Sequence, residues 1–457
     1  MKENSSESLE KEAEKIVNEA VKAEKEGIEA IEKVAKHPVK ETRQFWHNLG
    51  PGLTTGAADD DPSGVGTYSQ AGSRYGYQLL WLAPLTFPLM AIVQEMCARI
   101  GLATGRGLAA NIKKYFPRWV LYLVALLVLS ANSFNIGANL GAMAESTQLL
   151  LPYLPFWFLI LSFVLISLFL QIFISYPKYA KYLKYLALIL LVYVITAFTI
   201  KDFPWLEVLK GGIMPKFSFT KEQIILICGI LGTTISPYLF FWETSQEVEE
   251  KISEGKETIA DRQEIEEKEM RKMRVDVWTG MFVSNLVMFF IIAVCAATLF
   301  SSGITNINTA ADAAAALKPL AGSYAFLLFA LGIIGTGLLG IPVLAGSASY
   351  AVSETFGWKE GLYLKFRKGI YFYGIIILSM IIGLLINFLG INPIKALIYA
   401  AVANGLVAPI ILILIVIISS NQKIMNSYHN SKPIKVFGWL ATGIMIIAGI
   451  ATIISFF

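Results

Sequence analysis

Runs of eighteen or more nearly uncharged residues recur along this chain, at 120–144, 156–176, 183–200, 277–300, 371–394 and 436–457. A helix rises about 1.5 Å per residue, so each run is long enough to cross a hydrocarbon core of roughly 30 Å. Only helices and closed barrels satisfy every backbone group inside a bilayer, and runs of this length without two-residue alternation specify helices. The fold class expected is therefore an all-α polytopic membrane protein, with the lipid bilayer as its obligatory partner.

Charge is gathered in two places. Residues 1–45 hold 9 Lys/Arg and 11 Glu, and residues 247–276 hold 7 Lys/Arg and 11 acids, which leaves the rest lipid-like. The net charge of +4 is confined to short loops and gives no reason to expect nucleic acid as a partner. Cys97, Cys228 and Cys295 lie far apart in apolar segments, suggesting neither disulfides nor a thiolate metal site. His37, His47 and His429 form no HExxH pair, which argues against an intramembrane metalloprotease. Nothing in the sequence points to an enzyme or to a bound cofactor. The first residues lack the apolar core of a cleavable signal peptide, so the chain is expected to begin in the cytoplasm.

Hydropathy and helix breakers suggest eleven spans, near 46–73, 77–104, 118–149, 155–175, 183–200, 222–246, 276–300, 324–356, 370–389, 394–419 and 434–456. With the N-terminus inside, short inner loops carry fourteen basic residues and outer loops seven. That bias favours a multi-pass protein of the cell membrane with a cytoplasmic N-terminus and an external C-terminus. The domain reading is a charged cytoplasmic helical segment at 1–45 and a transmembrane domain at 46–457. Apolar positions three or four apart with a gap at Glu24, namely Val17, Val21, Ile28, Ile31 and Ala35, give the first segment one apolar helix face. The stretch 247–276 would extend the sixth and seventh spans into solvent.

The acids outside those two segments are few. Glu145, Glu243 and Glu354 sit toward span ends, where reaching the interface is cheap. Asp59, Asp60 and Asp61 lie mid-span in GPGLTTGAADDDPSGVGTYSQAG, where an ionised carboxylate costs several kcal/mol unless it meets water, a cation or the bundle interior. Pro62, Gly64 and Gly66 follow at once and favour an unwound backbone. A second break is expected in span six, in GILGTTISPYLFFWETSQ, between Gly232 and Pro237. Spans one and six are equivalent if 46–200 and 222–419 are repeats of five, and an odd repeat length inverts one against the other. Two inverted five-helix repeats plus an extra span at 434–456 describe a transporter whose midplane site lies between two broken helices.

Freed carbonyls and a carboxylate at such breaks make an oxygen-rich cage, and the negative end of the first half-helix adds to its attraction for a cation. The expected ligands are Asp61, with Asp60 or Asp59 on the approach path, the Thr233 carbonyl, and the Ser236 and Tyr238 hydroxyls. Asn132, Asn135 and Asn404 could add amide oxygens, although such residues more often serve as interhelical hydrogen-bond partners.

GPGLTTGAADDDPSG…QAGSRYGYQLLW and ARIGLATGRGLA, with GTTISPYLFFWETS and ALGIIGTGLLGIPVLAGSASYAVSETFGW, resemble the Nramp family of divalent-metal transporters from about residue 46 onward. The resemblance implies the LeuT-type fold, alternating access, and a divalent cation as substrate between broken spans one and six. The ligand motifs depart from the family pattern. The Asp-Pro-Gly-Asn signature becomes Asp61-Pro62-Ser63-Gly64, so the aspartate remains and the asparagine does not. Met-Pro-His becomes Ser236-Pro237-Tyr238, Thr233 stands for an alanine, and Glu243 stands for a later histidine. Ala401 falls near the family's glutamine, and Asn139 and Ala142 replace the acids of its proton route. Loss of the methionine is similar to the Nramp-related magnesium transporters. These residues suggest a secondary transporter or facilitator favouring magnesium or manganese over iron, with weak proton coupling. A same-fold carrier of an organic cation or other small solute, and a non-transporting sensor, are the alternatives.

Overall fold

The computed structural model describes residues 50–174 and 188–457. The expected N-terminal segment at 1–45 and the start of span five lie outside the described residues. The longer helices are α1 (Pro51–Asp59), α2 (Pro62–Tyr75), α3 (Leu82–Thr104), α4 (Leu108–Tyr115), α5 (Arg118–Gln148), α6 (Phe156–Phe173), α7 (Val192–Thr199) and α8 (Trp205–Ile213). They continue with α9 (Lys221–Thr234), α10 (Pro237–Ser253), α11 (Glu267–Cys295), α12 (Ala325–Phe356), α13 (Ile370–Ile386), α14 (Pro393–Ser420) and α15 (Lys432–Ser455). No strand occurs among the described residues. Eight helical stretches there are long and apolar enough to span a membrane by themselves. The broken first span and the shorter Ile370–Ile386 fall outside that criterion.

Both breaks form where proline removes a donor and presets the next helical turn. α1 stops at Asp59 and α2 restarts at Pro62; α9 stops at Thr234 and α10 restarts at Pro237. The charged stretch after span six does extend the neighbouring helices, since α10 runs to Ser253 and α11 begins at Glu267. α4 and α8 are short helices between spans that hydropathy alone did not separate from loops.

The packing repeats as well. α1 and α2 both pack on α11, and α10, the counterpart of α2 in the second repeat, packs on α3. Glycine sets the first contact: a Cβ on Gly56 would sit 2.3 Å from the Gly280 carbonyl oxygen, and one on Gly280 would sit 2.2 Å from that of Gly52. In the second contact a Cβ on Gly101 would sit 2.4 Å from the Thr244 carbonyl oxygen, and the Thr244 hydroxyl donates to the Cys97 carbonyl at 3.1 Å. Close backbone approach of this kind drives helix association where lipid removes the hydrophobic incentive. α5 and α12, the third helices of the two repeats, pack on each other across the site.

Glu243 and Glu354, placed toward span ends, find partners inside the protein. Both are buried, Glu243 taking a hydrogen bond from Thr55 and Glu354 accepting from the Ala110 amide at 2.6 Å. Each has a hydrogen-bond donor on a neighbouring helix, which offsets burial without a move to water.

Candidate metal-binding site at the two helix breaks

Asp61 is the N-cap of α2. Its Oδ1 accepts from the Gly64 amide at 3.0 Å and from the Ser63 hydroxyl at 2.6 Å. An aspartate followed by proline is a strong helix-start signal, because the carboxylate satisfies an orphan amide and faces the positive end of the helix dipole. Its other oxygen, Oδ2, accepts from two amides of α5: Asn139 Nδ2 at 2.9 Å and Asn135 Nδ2 at 3.2 Å. One carboxylate thus joins the break in span one to span three. Room for it comes from α12, where a Cβ on Gly340 would lie 3.0 Å from the Asp61 Cβ.

Asp59 ends α1 and accepts from the Ser284 hydroxyl of α11 at 2.6 Å through Oδ2, while its Oδ1 has no partner. Asp60 lies 3.3 Å from the same hydroxyl. At the second break the Ser236 hydroxyl donates to the Gly232 and Thr233 carbonyls at 2.6 and 2.7 Å, so it meets the carbonyls that the break frees. The Tyr238 hydroxyl donates across to the Ala58 carbonyl at 3.1 Å and ties the two breaks together. Hydroxyl lone pairs and the remaining carbonyl lone pairs stay available to a cation at these positions.

The structure therefore brings Asp59, Asp60, Asp61, Thr233, Ser236 and Tyr238 into one region around the two breaks. Asp60 is 4% exposed and the other five show no exposed surface. Gly64 does not leave open space where the family carries asparagine. A Cβ there would sit 3.2 Å from the Asp59 carbonyl oxygen and 3.3 Å from both Thr233 Oγ1 and the Tyr68 ring. Asn132 donates instead to the Leu344 carbonyl, at 2.9 Å. Asn404 is buried on α14 with neither amide atom hydrogen-bonded.

Several residues of the site were not anticipated: Ser284, Gly340 and the donor role of Asn139; Asn135 takes the interhelical hydrogen-bonding role expected as the commoner one. Lone polar residues inside apolar helices were the available signal, since each needs a partner there. Among the described residues no cluster of three or more His, Cys, Asp or Glu side chains is arranged to hold a metal by itself. A cation at this region would therefore draw on carbonyl, hydroxyl and amide groups beside the carboxylates.

The family profile described as natural resistance-associated macrophage protein-like, Nramp, matches residues 52–455. The divalent metal cation transporter MntH of Deinococcus radiodurans is 25% identical over 403 residues, covering 87% of each chain. The protein of that name from Bacillus subtilis is 25% identical over 456 residues, covering 97% of this chain and all of its own. Among solved structures, the manganese transporter of Eremococcus coleocola superposes with a TM-score of 0.67 at 19% identity, covering 90% of this chain and 86% of that one. Mhp1, a nucleobase-cation-symport-1 family transporter, superposes with a TM-score of 0.51 at 15% identity over 89% of this chain and 91% of its own. The fold is of the LeuT type.

Proposed function

The chain belongs to the Nramp family of divalent-metal transporters, and on that premise we propose that it carries magnesium or manganese in preference to iron, by alternating access across the cell membrane. The observation that carries this reading is the surroundings of Asp61. A carboxylate stands at the joint of a broken helix, and its neighbours at both breaks offer hydroxyl, carbonyl and amide groups. Hard cations prefer such oxygen ligands, whereas the thioether that Ser236 replaces favours softer ions. Asn139 and Ala142, which carry no titratable proton, stand where the resemblance places the family's acids, which supports a facilitator with weak proton coupling. The charge bias of the short loops supports a cytoplasmic N-terminus.

The test is flux into proteoliposomes with magnesium, manganese, calcium and cadmium, recorded together with internal pH. Magnesium or manganese uptake at least equal to that of cadmium, with little acidification, is the expected result. Strong preference for cadmium, or no response to any divalent cation, would overturn the reading.

A further inference from the structure

Asn135 and Asn139 lie four residues apart on one face of α5 and point both amide nitrogens at the same oxygen, Asp61 Oδ2. Both side chains are fully buried, and both Oδ1 atoms have no hydrogen-bond partner. Asn111, Asn132 and Gln171 also leave a buried amide oxygen without a partner while donating to neutral oxygens; what sets Asn135 and Asn139 apart is that both nitrogens meet one carboxylate oxygen. A divalent cation seated on Asp61 Oδ2 would meet the positive ends of two N–H dipoles. The pair must then turn or leave.

We propose that Asn135 and Asn139 are exchangeable ligands of the transported cation, donating N–H to Asp61 as seen here and turning to present Oδ1 to a cation bound on that carboxylate. The inference rests on Asp61 being the central ligand. Rotation about the terminal side-chain bond exchanges Oδ1 and Nδ2 nearly in place, with no backbone movement. The turned oxygens would then lie near the present nitrogen positions, 2.9 and 3.2 Å from Oδ2. Octahedral magnesium, with ligands at about 2.0–2.1 Å, requires neighbouring oxygens about 2.9 Å apart. Calcium, with ligands at roughly 2.3–2.6 Å and often pentagonal-bipyramidal, accepts neighbouring oxygens about 2.7–3.1 Å apart, so the pair is spaced to serve either ion.

The opposite role is equally concrete. If the amides serve only as a fixed clamp, they compete with the cation for Asp61, and removing one tightens binding. Isothermal titration of the purified full-length chain with magnesium chloride and calcium chloride separates the two. Asn139→Ala and Asn135→Ala should each weaken binding of both cations, magnesium at least tenfold. Asn139→Asp, which keeps an oxygen at that place, should restore magnesium affinity to at least the wild-type level. Unchanged or tighter magnesium binding in the alanine variants overturns the proposal. Should Asn139→Ala fail to fold by thermal unfolding, Asn135→Ala, which removes the longer hydrogen bond, carries the same decision. Asp61→Asn is the control for the underlying site. Wild-type affinity there defeats the assignment of Asp61, whereas lost affinity there with unaffected alanine variants defeats only the amide exchange.

Discussion

Ser284 on α11 donates its hydroxyl to Asp59 at 2.6 Å, making the only hydrogen bond that the Asp59 carboxylate accepts among the described residues. Asp59 closes α1, so this bond fixes where the first half-helix ends. Ser284→Ala leaves a fully buried carboxylate without a donor, at a cost of about 1–3 kcal/mol. Thermal unfolding should show that loss and flux should fall with it, while Ser284→Thr, which keeps the hydroxyl, should lie near wild type.

Asp61 has two tasks that substitution can separate. Asparagine caps a helix about as well as aspartate, and its amide nitrogen can be met by Asn135 and Asn139 turned to present Oδ1, so Asp61→Asn should fold while losing the charge and with it transport. Asp61→Ala loses the cap as well, and should lower stability by a further ~0.5–2 kcal/mol. Parallel flux and unfolding measurements on the two variants check this. Wild-type flux in Asp61→Asn would refute the site.

The glycines that crowd the site should be intolerant. Gly64→Ala forces a methyl group against the Asp59 carbonyl, Thr233 and Tyr68, and Gly340→Ala forces one toward the Asp61 Cβ. Each should cost about 1–3 kcal/mol, as overpacking of a filled interior does. Both should depress flux more than Gly443→Ala, whose new methyl group meets nothing within 4 Å. Equal flux in all three would show that packing around Asp61 is looser than described.

The spans and both breaks were legible in the sequence, because uncharged length, Pro62 and Pro237 act locally and no tertiary context is needed to read them. The acids were legible for the same reason, since three carboxylates in mid-span demand an explanation wherever the neighbours lie. Who satisfies them was not legible. Ser284 is 225 residues from Asp59 and Asn139 is 78 from Asp61, and no periodicity connects such pairs. The space around Gly64 was not legible for a related reason. Volume lost at one position was filled by Thr233 and Tyr68 from elsewhere, which only the packed structure reveals.

Ser236 offers the sharpest control over ion choice. Its hydroxyl bridges the Gly232 and Thr233 carbonyls, so Ser236→Met both frees those carbonyls and introduces a thioether. Cadmium uptake should rise relative to magnesium by about tenfold, following ligand softness. Competition of cadmium against magnesium flux measures it, and an unchanged ratio would mean that position 236 does not contact the ion.

The side of the membrane can be tested at Ser253, which is exposed at the end of α10. A cysteine placed there should resist an impermeant thiol reagent added outside intact cells and react once the membrane is opened. Ready labelling from outside would reverse the topology.

α1 and α11 run side by side in register. Asp276 accepts the Gly52 and Leu53 amides at 2.7 and 3.2 Å, Gly56 meets Gly280 one turn on, and Asp59 meets Ser284 another turn beyond. Three rivets along one seam make the two helices a single strut, so the first half-helix cannot swing without carrying its neighbour. The strut ends at Asp60 and Asp61, where the backbone leaves the helical path and can pivot. If the ion sits at Asp61 as proposed, hinge and cargo berth are the same residues, and a motion that opens a path from one side by turning this joint would also distort the ligand cage; gripping the ion and releasing it would then be two positions of one joint.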